Sequence, residues 1–319
     1  MSGTLPEEGK REDIGFSHCA AALTYRFSMF DSAFLKKLEY LSLVSRRTFP
    51  GQLLANRRAR QSGNGIVFAD HRNYNFGDDL RYLDWNVYAR FGNELIRRFE
   101  EEKDLHIYFL LDCSKSMSWG TPNKFDYARH VTAALAYVAL ADLDRVCIAA
   151  FADKLYQIFP AIRGKQHILN LIRFLESLET VGSTTDLSAS MGAFVRRKQH
   201  AGLAVVIGDF FDPNGFKPGL DTLRYRNYEP YLVQIHDERE AEPVLRGDLQ
   251  LCDAETDGRR EVVISESMIR RYKQKFAAFL DEIKRYGIDN GLNYTISSTA
   301  VPFDEMILRM LTNNKVPKI

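Results

Sequence analysis

Four short apolar runs constrain this chain more than anything else in it: residues 105–111, 145–151, 203–208 and 231–235. Each is almost unbroken in apolar character, so each strand needs an apolar cover on both faces. Between them lie stretches with apolar residues at helical spacing. Asn123 can cap a helix from Lys124 to about Asp142, with Phe125, Ala128, Val131, Leu135 and Val138 on one side. Residues 165–178 place Ile168, Leu171, Ile172 and Leu175 in register, and residues 187–199 and 217–226 read as further helices. Strands alternating with helices predict the α/β class: a doubly wound, mostly parallel sheet covered on both faces.

The flanks extend this pattern. Asp31 can cap a helix to about Thr48 that shows Phe34, Leu38 and Leu41 on one side, and Pro50-Gly51 ends it. Residues 155–159 read as a hairpin partner of 145–151. Asp257-Gly258 signals a hairpin between 249–252 and 261–264. A long amphipathic helix over 268–286, with Gly287 as its C-cap, precedes a strand at 294–297 and a helix at 303–311. Three regions are expected: a loose arm over 1–28, an N-terminal helix and a connecting segment over 29–103, and the main α/β domain over 104–313.

Composition excludes several classes. The 319 residues carry a net charge of +1, which supplies no field for nucleic acid or an anionic membrane. No run approaches 18 uncharged apolar residues, and the N-terminus lacks the basic-then-apolar order of a signal peptide. Cys19, Cys113, Cys147 and Cys252 show no C-x-x-C spacing, which fits a reducing, cytoplasmic setting better than a disulfide or zinc framework.

The chemistry gathers at predicted strand ends. Asp112-Cys113-Ser114-Lys115-Ser116 has the form D-x-S-x-S and follows the first apolar run. A small polar loop, Val181-Gly182-Ser183-Thr184-Thr185-Asp186, precedes the helix at 187. The run 203–208 ends in Asp209, with Asp212 close behind. Carboxylate and hydroxyl oxygens suit a hard cation such as Mg²⁺. In open parallel sheets, ligands sit outside the carboxyl ends of the strands. The bland alternative is that Asp112 and Asp209 are helix caps and the hydroxyls solvated turns; three such segments in order on strand ends favour the metal. This order resembles the metal-ion-dependent adhesion site of von Willebrand factor A domains.

A second string lies upstream: Asp70-His71-Arg72, Tyr74, Gly77-Asp78-Asp79-Leu80-Arg81, Leu83-Asp84-Trp85-Asn86, Ala89-Arg90 and Arg98-Phe99-Glu100-Glu101-Glu102. Together with the strand-end motifs it closely resembles the domain of unknown function 58 family, over roughly residues 45–300. The resemblance implies a von Willebrand factor A-like fold. It also implies a partnership with MoxR-type AAA+ ATPases in chaperone-like maturation of protein complexes. The metal site it implies is Asp112, Ser114, Ser116, Thr185 and Asp209, holding Mg²⁺ or Mn²⁺. Thr184, Asp186 and Asp212 are neighbouring possibilities; Thr185 is preferred over Thr184 because Thr185-Asp186-Leu187 matches the family's T-D-L. Many members carry N-terminal transmembrane helices and a β-rich domain; neither is expected here.

The upstream string, with Asp70, His71, Arg72, Asp78, Asp79, Arg81, Asp84, Trp85 and Arg90, reads as a salt-bridged clasp. Its interleaved arginines would occupy the carboxylates, which argues against a second metal site. Tyr74 and Trp85 are expected as packing anchors, and the segment is expected to pack on the main domain. The acidic run over 100–104 reads as a solvated face. There is no C-x5-R, G-x4-G-K-[ST] or G-x-S-x-G pattern, and at the strand-end Asp112 the D-x-D of a haloacid-dehalogenase phosphatase fails because position 114 is Ser. The expected function is therefore a non-enzymatic, metal-dependent protein-binding module whose partner completes the metal shell with an acidic side chain. The rivals are a metal-dependent hydrolase using the same site and a metal-free scaffold.

Overall fold

The computed structural model describes residues 30–48, 62–100, 105–182, 184–197, 200–244, 247–252 and 259–313. The expected arm over 1–28, most of the acidic run over 100–104 and the Asp257-Gly258 turn lie outside them.

The main sheet is built from β3 (His106–Asp112), β4 (Arg145–Phe151), β5 (Leu155–Arg163), β6 (Leu203–Gly208), β7 (Glu229–His236) and β10 (Asn293–Ser298). Its order is β10-β7-β6-β3-β4-β5. All neighbours are parallel except β4 and β5, which form the expected hairpin at one edge. The chain starts in the middle with β3, winds outward to β5, then returns to β6 and winds the other way. This is a doubly wound, von Willebrand factor A-like fold, and the reversal falls between β3 and β6.

The two faces of β3 show why its apolar run is continuous. Ile107, Phe109 and Leu111 point into one core, while Tyr108 and Leu110 point into the other. The first core is closed by α1 (Ser32–Thr48), α3 (Lys124–Ala141), α4 (Ile168–Ser177) and α9 (Phe303–Asn313). The second is closed by α5 (Leu187–Val195), α6 (Lys217–Tyr225) and α8 (Glu266–Asp289). Phe30, Phe34, Leu38 and Leu41 of the N-terminal helical segment are buried in the first core, so this helix is part of the main domain's packing. Asp31 caps α1 by accepting from the Phe34 N–H at 2.7 Å.

Two expectations are corrected. Gly287 does not end the long helix, which runs on to Asp289 with Asn290 as its cap. A Cβ at Gly287 would lie 3.3 Å from the Tyr294 Cβ, so the glycine lets helix and strand approach. Trp85 is not a packing anchor: it is 57% exposed. It stands at the first position of α2 (Trp85–Phe91), directly after the cap Asp84, and its ring meets Tyr88 edge-on one turn later. Tyr74 is half-buried.

The clasp is a hairpin of β1 (Ser62–Asn73) and β2 (Leu95–Glu100) with α2 between them. Its expected Arg–carboxylate pairing is present. Arg72 binds Asp78 through two N–H donors at 2.6 and 2.7 Å, and Arg81 binds Asp79. Asp84 is the hub. It caps α2 through the N–H groups of Asn86 and Val87, and it takes both Arg97 donors and contacts His71 Nε2 at 2.9 Å. Arg97, which the sequence reading did not single out, is thus the main partner of Asp84. The Arg72 guanidinium holds the Asp78 carboxyl down at about 2. Arg90 is exposed; Asp70 is described only as a strand position opposite Arg98. Leu83 and Ile96 are buried and joined by an isolated bridge, outside the two main cores. Two further short elements, β8 (Gly247–Cys252) and β9 (Arg259–Ile264), pair as the expected hairpin.

Candidate metal centre at the carboxyl edge of the sheet

β3 and β6 lie side by side and parallel, with Leu111 opposite Ile207. Their ends therefore fall together, and Asp112 and Asp209 leave the sheet at the same edge. Both are 1% exposed. Gly208 allows their approach: a Cβ there would stand 2.7 Å from the Asp112 Cβ and 2.9 Å from its Oδ2.

The turn after β3 is held by its own side chains. Asp112 Oδ1 accepts from the Ser114 N–H at 2.8 Å, and the Ser114 and Ser116 hydroxyls lie 2.9 Å apart. Ser114 is buried and Ser116 half-buried. Cys113 points inward and donates to the Phe151 carbonyl; burial pushes its thiol up to about 12, so it is a packing residue.

Hydrogen bonds from backbone N–H groups stitch the three loops to one another. Val181 N–H donates to Cys113 O at 2.7 Å, Asp186 N–H donates to Ala152 O at 3.0 Å, and Leu187 N–H donates to Asp212 Oδ2 at 2.7 Å. The threonine loop is thereby fixed beside the ends of β3 and β4 and tied to the loop after β6. Within it Thr184 is exposed and Thr185 is 2% exposed. Thr185 Oγ1 is buried and has no hydrogen-bond partner among the described residues. An unpaired buried hydroxyl costs free energy, and a cation ligand at this position would satisfy it.

Two further acids that the sequence brought forward have other work. Asp186 caps α5 through the Ala189 N–H. Asp212 accepts from Leu187 and Asn214. Both oxygens of Asp212 and one oxygen of Asp186 are thus taken up by backbone N–H groups.

Electrostatics set the site apart. Burial, and then the facing charge of Asp209, push the Asp112 carboxyl up to about 7. Two buried carboxylates on one edge are costly without a cation. A hard divalent ion fits this donor set of two carboxylates and three hydroxyls. Part of the compensation is already present in a residue the sequence reading had treated only as a helix start. Lys124, fully buried at the first position of α3, places Nζ 2.8 Å from Asp209 Oδ2 and 2.6 Å from Glu240 Oε1. Glu240 lies on α7 (Glu238–Ala241), just past the end of β7. The sequence signal was a lysine at the start of a helix, where the dipole disfavours a cation.

Comparison with known proteins agrees with the family resemblance. The family model described as "Protein of unknown function DUF58" matches residues 70–280. The chain is 27% identical over 252 residues to the uncharacterized protein Rv1480 of Mycobacterium tuberculosis, covering 78% of this chain and 79% of that one. It is 29% identical over 109 residues to YeaD of Bacillus subtilis, covering 34% of this chain and 26% of that protein. Among solved structures, the conserved hypothetical protein BatB from Bacteroides thetaiotaomicron aligns with a TM-score of 0.43 at 14% identity. The alignment covers 66% of this chain and 98% of that one.

Proposed function

The chain belongs to the DUF58 family, and from that premise we propose that it is a protein-binding module whose grip depends on a divalent cation. The observation that carries the reading is the pairing of buried Asp112 and Asp209 on adjacent strand ends beside the unpartnered hydroxyl of Thr185. Asp112, Ser114, Ser116, Thr185 and Asp209 are the residues to hold Mg²⁺ or Mn²⁺. When bound, the ion supplies a Lewis-acidic position that an acidic side chain of a partner can complete. The protein's own part is to fix the geometry. The Asp112–Ser114 turn and the stitched loops orient the oxygens, and burial of both carboxylates keeps water from competing.

The partner is proposed to be a MoxR-type AAA+ ATPase or one of its client proteins, in chaperone-like assembly of protein complexes in the cytoplasm. Among the described residues no helix is long and apolar enough to cross a membrane. Binding is favoured over turnover because Asp186 and Asp212, the acids a hydrolase would recruit, are committed to backbone N–H groups.

The test is capture of the cognate ATPase by wild type and Asp112→Ala, each with Mg²⁺ and with chelator. Capture by wild type in Mg²⁺ alone supports the reading. Equal capture by the variant, or capture that survives chelation, refutes the metal bridge.

A further inference from the structure

Lys124 is a costly residue for its position. It opens α3, where the helix dipole opposes a cation, and its side chain is 1% exposed, where an ammonium is tolerated only if paired. An apolar side chain of similar length, such as Met, would fill the same space. What the lysine adds is charge, and the structure places that charge on one named acceptor of the candidate metal centre. Nζ lies 2.8 Å from Asp209 Oδ2, 2.6 Å from Glu240 Oε1 and 5.5 Å from the centre of the Phe211 ring. Glu240 is held in place from its other side. Its Oε2 accepts from the Asp237 N–H at 2.9 Å, in the capping box of α7.

We infer that Lys124 is an internal competitor for the cation: its ammonium occupies Asp209 Oδ2 and weakens the hold on a divalent ion, and Glu240 moderates the competition by sharing the ammonium. The inference rests on the metal-binding reading above. It adds two residues that set the affinity of the site without being ligands of the ion. The physical content is a sign. Removing a positive charge beside Asp209 strengthens the attraction for a cation, and removing the negative charge of Glu240 leaves the ammonium to Asp209 alone and weakens it.

The test uses Mn²⁺ alone, with the free ion counted by electron paramagnetic resonance, on wild type, Lys124→Met, Glu240→Gln and the double variant. Lys124→Met is expected to bind Mn²⁺ at least tenfold more tightly, Glu240→Gln several-fold more weakly, and the double variant more tightly than wild type. A residue that merely fills space would not give opposite signs at its two ends. The double variant avoids leaving Glu240 without its cation, and Glu240→Gln keeps the lysine, so a misfolded Lys124→Met leaves two informative variants. If wild type binds Mn²⁺ and these variants bind it equally, or with the signs reversed, the inference fails and the metal reading stands. If none of the four binds Mn²⁺, both fail together.

Discussion

Replacing Asp112 with Asn tests the electrostatic account of the site without requiring a partner. The substitution keeps an acceptor for the Ser114 N–H and removes the charge that faces Asp209. Burial, and then the facing charge of Asp209, push this carboxyl from 3.8 up to about 7 in the folded protein. The folded state therefore binds a proton more readily than the unfolded chain. Metal-free stability must fall as pH rises between those two values, and the loss is complete above about 7. A displacement of that size corresponds to ~4 kcal/mol at most. Because the nearby Lys124 ammonium opposes part of this penalty, ~2–4 kcal/mol is the expected gain for Asp112→Asn at pH 8 in chelator. For a domain this large, that is on the order of 5–10 °C in Tm. The gain should shrink as pH falls and vanish near pH 4. Added Mg²⁺ should raise the Tm of wild type at pH 8 and leave the variant where it was. The assay is thermal unfolding of both proteins across pH 4–8, with and without Mg²⁺. A variant that melts at or below wild type at pH 8 in chelator would refute the reasoning, since Asp112 would then carry no buried-charge penalty.

Other outcomes follow from the same geometry. Thr185→Val removes the orphaned hydroxyl at nearly constant shape, so metal-free stability should rise by about 1 kcal/mol while calorimetry finds weaker Mg²⁺ binding; an unchanged affinity would remove Thr185 from the ligand set. Gly208→Ala should sharply weaken Mg²⁺ binding, because its Cβ would stand 2.7 Å from that of Asp112; calorimetry with wild-type affinity would contradict the close approach. Leu38→Ala should cost about 2–5 kcal/mol in denaturant unfolding, since Leu38 is 1% exposed in the first core. Trp85→Ala, at 57% exposure, should cost less than about 1 kcal/mol. The reverse ranking would show that the clasp, rather than α1, carries the packing.

The sequence alone determined the α/β class, the succession of the main strands along the chain and the positions where chemistry collects. It could do so because those signals are local or periodic: a strand buried on both faces must be apolar throughout, as residues 105–111 are, and Asn123 and Asp31 cap the helices that follow them. The oxygen-rich loops were legible because parallel strands deliver their carboxyl ends to one edge, so D-x-S-x-S after β3 and Asp209 after β6 had to share an edge if the sheet formed; that they meet follows from β3 and β6 being neighbours. Tertiary structure decided what depends on distances between separate elements. Trp85 looked like core and is exposed, because nothing in a first-turn tryptophan specifies which neighbour will cover it. Thr185, preferred over Thr184 on its match to T-D-L, is the hydroxyl the fold buries, while Thr184 is exposed. Arg97 became the partner of Asp84 only when β2 returned beside α2. Lys124 and Glu240 stand 116 positions apart and meet because α3 begins, and β7 ends, at the same edge of the sheet. A buried ion pair leaves no periodic trace in a sequence; its partners are chosen by the fold that takes both charges out of water.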